Sequence, residues 1–118
     1  MRRDPRVHLA DVQEAGELVV RFTRGLDLEA YRGDVMVRSA VERQLEIVGE
    51  ALNRLHRDDP GLTARIPDVR RVIGFRNVLV HGYGIVDHEA VWEAITLELP
   101  GLVATVSALL TELDATTG

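Results

Sequence analysis

Apolar residues recur along this chain at spacings of three and four, and polar ones fill the positions between. Leu9, Val12, Ala15, Leu18, Val19 and Phe22 make the first such stripe, with Asp4 and Pro5 ahead of it and Gly25 behind. Asp is a good N-cap, Pro suits the first helical position and Gly ends a helix readily, so a helix is predicted over 5–24. A second stripe runs through Val37, Ala40, Val41, Leu45, Val48, Leu52 and Leu55 behind the cap Asp34, predicting a helix over 34–56. Between them, Asp27 caps a short helical turn that stops before Gly33. Pro67 and Asp68 begin a third helix, over 68–81, with Val69, Val72, Ile73, Leu79 and Val80 apolar. Asp87 begins a fourth, over 87–113, whose broad stripe runs from Val91 and Trp92 through Ile95, Leu99, Val106 and Leu109 to Leu113.

Two residues break the rules inside these helices. Gly49 costs roughly 1 kcal/mol against alanine in a helix interior, and close approach of another helix is the reason expected for it. Pro100 removes one hydrogen bond and clashes with the carbonyl four residues back, so a kink is expected there. Asp58-Asp59-Pro60-Gly61 reads as a turn cluster, followed by a loose link to Pro67. No run alternates with period two over the length of a strand. The expected fold is all-α, an antiparallel four-helix up-down bundle in one domain over 1–118.

The 118 residues suffice for one core without covalent staples. Absence of cysteine removes disulfides and thiolate metal sites. Met1-Arg2-Arg3-Asp4-Pro5 is basic, but Asp11, Glu14 and Glu17 follow where a signal core would lie. Leu99 to Leu113 is interrupted by Pro100, Thr105, Ser107, Thr111 and Glu112, so no bilayer span and a cytoplasmic location are expected.

The net charge of −5 argues against a general nucleic-acid coat. Its distribution changes the picture. Arg65, Arg70, Arg71 and Arg76 stand against Asp68 alone in 65–81, whereas 82–118 hold six acids and no arginine. The basic stretch coincides with Arg76-Asn77-Val78-Leu79-Val80-His81-Gly82-Tyr83, the densest concentration of candidate chemistry in the chain. Asn77 and His81, four apart, are about 40° apart around a helix and share a face, whereas Arg76 is about 140° from His81. Gly82 can end the helix in a left-handed conformation. A helix C-terminus carries partial negative charge and favours imidazolium, so the His81 pKa is expected to move upward.

Imidazole and guanidinium suit metal-free cleavage of an RNA phosphodiester. His81 can move the protons of the attacking 2′-hydroxyl and the leaving 5′-oxygen. Arg76 can hold the phosphoryl oxygens, with Asn77 in support, and Arg70 and Arg71 are candidates for RNA binding. One histidine cannot be both base and acid at once, so a two-fold homodimer with paired third helices is expected. The competing reading is a capped helix end, with His81 on the last carbonyls and Arg76 paired to an acid such as Glu46 or Glu50. His81, Asp87, His88 and Glu89 have no recognised metal-ligand spacing, so no metal and no cofactor is expected. His8 and His56 are expected at the surface.

Arg76 to Tyr83 resembles the Arg-x4-His-x-Tyr signature of the HepT family, a branch of the HEPN superfamily of small helical proteins. The resemblance extends to Ala40–Ala51, to Val72-Ile73-Gly74-Phe75, and to Val91-Trp92 with Leu99-Pro100, in the family's order and over nearly the whole chain. It implies a HEPN-like bundle and an endoribonuclease toxin acting on RNA, tRNA among the candidates. It further implies an active site at a homodimer interface, with higher oligomers conceivable. The partner it implies is a cognate minimal nucleotidyltransferase antitoxin that AMPylates Tyr83. The alternative for such a chain is a non-catalytic helical subunit bound to that nucleotidyltransferase.

Overall fold

The computed structural model describes residues 3–80 and 86–117, leaving aside the side chains of Asn77, Val78, Val80 and Thr117. The described residues are mostly helical, with no strand among them. The order is α1 (Pro5–Thr23), α2 (Leu28–Gly33), α3 (Val35–Asp58), α4 (Pro60–Thr63), α5 (Val69–Val80) and α6 (His88–Glu93); a π-helical turn (Ala94–Glu98) then leads into α7 (Leu99–Thr117). α1, α3, α5 and the continuous α6–π–α7 rod are the four long helices expected, and they form the all-α bundle. α3 packs against both α1 and α5, and α7 packs against α1.

Local chemistry sets the helix ends. Asp4 accepts from the Arg6 amide at 3.0 Å, Asp27 from Ala30 at 2.8 Å and Asp34 from Val37 at 3.1 Å. Asp87 accepts from Glu89 and Ala90 at 3.0 and 3.2 Å. Gly25, with φ of 79°, lets the chain leave α1 by a conformation an L side chain resists. Pro100 has no N–H to give, and the rod meets this with the π turn that ends just before it. There the Leu99 amide reaches back five residues to the Ala94 carbonyl.

The core has two clusters. Leu9, Val12, Val48, Leu52, Leu55 and Val106 fill one, where α1 begins and α3 ends; Val19, Tyr31, Val41, Val91, Ile95 and Leu99 fill the other. In the second, Tyr31 and Trp92 lie with ring centroids 5.3 Å apart.

Several sequence expectations need correction. The link after α3 is ordered: Asp59 caps α4, accepting from Leu62 at 3.1 Å, and Leu62, Thr63 and Ile66 are buried. Turn residues hid a helical turn because Pro60 serves as its first residue. The start of α5 at Val69 agrees with the expected 68 to one residue, and Asp68 before it holds φ of 58°. His8 is buried within the bundle, its Nε2 3.9 Å from Asp58. His56 is half-buried, its Nδ1 2.7 Å from the Thr63 hydroxyl. The last rod is longer than the apolar run read from Leu99: His88–Thr116 is long and apolar enough, by length and composition, to cross a membrane. Here it is packed into the bundle, with Gly16 of α1 so close to Val103 that an added Cβ would overlap its Cγ2.

Candidate active site

Arg76 occupies a position that the apolar pattern of α5 would give to a core residue. Val69, Val72, Ile73 and residue 76 follow one another at i, i+3, i+4 and i+7, the stripe that faces α3. An arginine there must lead its charge out along the neighbouring helix. The neighbour makes room: at Gly49 of α3, an added Cβ would overlap the Arg76 Cβ and come within 2.6 Å of its Cγ. Close approach at Gly49 was expected, and Arg76 itself is what approaches.

The guanidinium ends at Glu50, with Arg76 Nη2 2.8 Å from Oε2. The other oxygen, Oε1, accepts from Arg54 Nε at 2.9 Å. Two arginines therefore share one carboxylate. Arg43 and Glu46 pair at 3.4 Å a turn away and add no net charge. Over the whole groove lining, Arg3, Arg43, Arg54 and Arg76 stand against Asp11, Glu46 and Glu50, a net charge of +1 that favours an anion. Arg76 is 24% exposed, enough to be screened from bulk solvent and still reachable. A groove of about 310 Å³ opens here between α1 and α5 over α3. Ile47 and Ala51 give it apolar lining, and His8, Asp11, Glu50, Arg54 and Arg76 its polar lining.

Of the other residues singled out by the sequence, Arg70 and Arg71 are exposed on α5 but outside this groove. Arg70 lines a separate depression with His56 and Asp68. Arg71 pairs with Glu98 of the π turn. Asn77 follows Arg76 on α5, but its side chain lies outside the described residues, as do His81 and Tyr83 entirely. Sequence reading missed Arg54 and His8, which line the groove. The spacing Glu50-x3-Arg54 was a usable signal for the first; nothing distinguished His8 from a surface histidine at the start of a helix.

Among the described residues no group of three His, Cys, Asp or Glu is arranged to hold a metal ion. What the arrangement can do is hold an anion: a guanidinium anchored at one side, in a partly shielded groove, with positive charge left over.

A family model described as ribonuclease HepT-like matches residues 12–109. The chain belongs to the HepT-like family. Among curated relatives, "Probable ribonuclease HepT" of Thermococcus cleftensis is 35% identical over 102 residues, covering 86% of this chain and 92% of that protein. "Putative RNase MJ1380" of Methanocaldococcus jannaschii is 32% identical over 101 residues, covering 84% and 90%. "Putative RNase TTE0752" of Caldanaerobacter subterraneus is 29% identical over 108 residues, covering 92% and 96%. No solved structure matches the chain. The matched span includes both walls of the Arg76 seat, Gly49 and Glu50 on α3 as well as Arg76 on α5.

Proposed function

We propose that this HepT-like protein is a soluble, cytoplasmic, metal-independent endoribonuclease and the toxin of a toxin–antitoxin pair. The observation that carries the reading is Arg76 anchored by Glu50 in a groove of net positive lining, on a chain whose relatives carry ribonuclease names. Arg76 grips the phosphoryl oxygens, and the carboxylate of Glu50 keeps its guanidinium from wandering. His81 takes the proton of the 2′-hydroxyl as that oxygen attacks phosphorus. The 5′-oxygen departs with a proton, leaving a 2′,3′-cyclic phosphate. In a homodimer the second His81 supplies that proton, and Asn77 supports the pair. Arg70 and Arg71, on other faces of α5, guide the RNA backbone beyond the cleft.

Control falls to Tyr83. A partner nucleotidyltransferase carries the adenylyl group: the Tyr83 oxygen attacks the α-phosphorus of ATP, the bond to pyrophosphate breaks, and the phenolic proton is lost. The added phosphate then competes for the cations that RNA needs. Tyr31 is no rival acceptor, since it is buried in the core. Mass spectrometry after incubation with the partner and ATP should find an adenylyl adduct on Tyr83 and none in Tyr83→Phe.

 The variant should keep the fold and escape inactivation; an adduct that persists in Tyr83→Phe would remove this tyrosine from the mechanism.

The decisive experiment compares cleavage of RNA by the wild type, Arg76→Ala and His81→Ala, with and without EDTA. Each substitution should slow cleavage by about 10²–10⁴-fold, as loss of one proton-transfer or charge-stabilising group does. EDTA should change nothing. A second reading has its own observation: the Arg76–Glu50 pair is also what a purely structural arginine would make. On that reading the protein is a non-catalytic partner of the nucleotidyltransferase, and the wild type and both variants should leave RNA equally intact.

A further inference from the structure

We infer that Gly49 is a positioning residue for Arg76, an assignment that rests on the nuclease reading of that arginine. Two consecutive residues of α3 serve the two ends of one side chain. Gly49 receives the Cβ and Cγ of Arg76, and Glu50 receives its Nη2. Successive residues on a helix are about 100° apart, so Gly49 turns toward α5 while Glu50 stands at the edge of the groove. The arginine is thereby laid from the packed face of α5 out into the groove, instead of being left to swing in solvent.

Comparison with other glycines isolates the role. A Cβ at Gly16 would meet the Cγ2 methyl of Val103, with no backbone atom of α7 among its nearest contacts. Gly74 and Gly101 have nothing within 4 Å. A Cβ at Gly49 would meet the Cβ of Arg76 and lie 3.4 Å from its Cα, atoms that move only if α5 moves. Any side chain at 49 therefore lifts the base of Arg76 from α3 and carries the guanidinium away from Glu50. Displacements of about 1 Å in a reacting constellation can cost on the order of 10²-fold in rate.

The test is a double-mutant cycle on RNA cleavage under single-turnover conditions. Gly49→Ala should lower the cleavage rate constant by about 10²-fold. Helicity and oligomeric state should be retained, and the pH dependence should be unaltered because His81 is untouched. Combined with Arg76→Gly, which removes both the guanidinium and the overlapped Cβ, it should cost no more than Arg76→Gly alone, because Gly49 acts through that side chain. A general packing role would instead multiply the two losses, and that result overturns the proposal. Gly74→Ala, on the same helix as Arg76 but facing open space, is the control and should cleave as the wild type does. The arginine side-chain NMR signal lost in Arg76→Ala should shift in Gly49→Ala, a readout independent of cleavage. A fully active Gly49→Ala beside an inactive Arg76→Ala overturns this proposal alone, whereas a fully active Arg76→Ala removes the nuclease reading and the proposal with it. Should Gly49→Ala not fold, Gly49→Ala/Arg76→Gly relieves the overlap from the other side and must fold; its failure also overturns the seat.

Discussion

α3 and α5 lie against each other and are built for different work. α3 has 24 residues, begins at a side-chain cap, and buries Val41, Leu45, Val48, Leu52 and Leu55 along one face. α5 has 12 residues, begins after a left-handed aspartate, and puts Arg76 where its stripe calls for an apolar side chain. The first helix departs from local preference at Gly49, where α5 comes close; the second departs twice within nine residues, at Asp68 and Arg76. Such departures are affordable only beside a helix that supplies the missing fit, and α3 does so with Gly49 and Glu50. On the proposed function, stability and chemistry are divided between neighbours, and substitutions should separate them.

The largest expected effects fall on opposite sides of that division. Leu52, fully buried on α3, should cost about 2–5 kcal/mol when changed to alanine. Arg76→Ala should cost about 1 kcal/mol or less, because its ion pair is partly solvated and Glu50 keeps Arg54. Urea denaturation of both variants checks this, with RNA cleavage read in parallel. A large stability loss in Arg76→Ala would make the arginine a scaffold residue and erase the contrast.

The next effect concerns how the two helices begin. Asp34→Ala removes an N-cap bond of 3.1 Å and should cost about 1 kcal/mol. Asp68 sits at φ of 58°, so Asp68→Gly should relieve strain and leave stability nearly unchanged or slightly raised. Equal losses at the two sites would mean that Asp68 contributes a cap that its backbone conformation does not suggest.

This same contrast governs what could be read from sequence. The four long helices were legible because caps and apolar spacing act locally: Asp4, Asp27, Asp34 and Asp87 all cap the helices they precede. Gly49 was legible as a place of close approach, but its partner was not, since spacing along α3 says nothing about what α5 brings to it. Glu50 was one of two acids that could meet Arg76, and only the packing of α5 on α3 selects it. α4 escaped because a Pro-Gly turn cluster and a Pro-initiated helical turn share their residues. The burial of His8 escaped because a histidine in the first turns of a helix fits core and surface alike.

A smaller effect probes the second core cluster, which flanks the far end of α5. Burial, with the charge of Glu42 adding to it, raises the pKa of Tyr31 to about 12. The folded pKa lies above the unfolded value near 10, so this contribution is intact below pH 10 and is lost as pH rises through about 12. Its hydroxyl meets no hydrogen-bond partner among the described residues. Tyr31→Phe should therefore be neutral or stabilising at pH 7, by up to about 1 kcal/mol, and should flatten the alkaline limb. Absorbance titration of the wild type should resolve one tyrosine with a midpoint near 12. A normal midpoint for both tyrosines would place the Tyr31 hydroxyl in contact with water.

The smallest effect lies at the start of α1. The Arg6 guanidinium and amide both donate to the Asp4 carboxylate, at distances from 2.6 to 3.1 Å, and hold its pKa down to about 2. A depressed folded pKa stabilises above the unfolded value of 3.8, and that contribution disappears as pH falls through about 2. The pair is solvent-exposed, so salt screens it and the effect stays local to the first turn. Asp4→Asn separates charge from cap, because asparagine caps a helix about as well as aspartate does. The urea midpoint of Asp4→Asn should match the wild type at pH 2 and fall slightly below it at pH 5, with the gap closing in high salt. A gap that persists at pH 2, where the carboxylate is losing its charge, would assign the effect to the geometry of the cap and not to its ion pair.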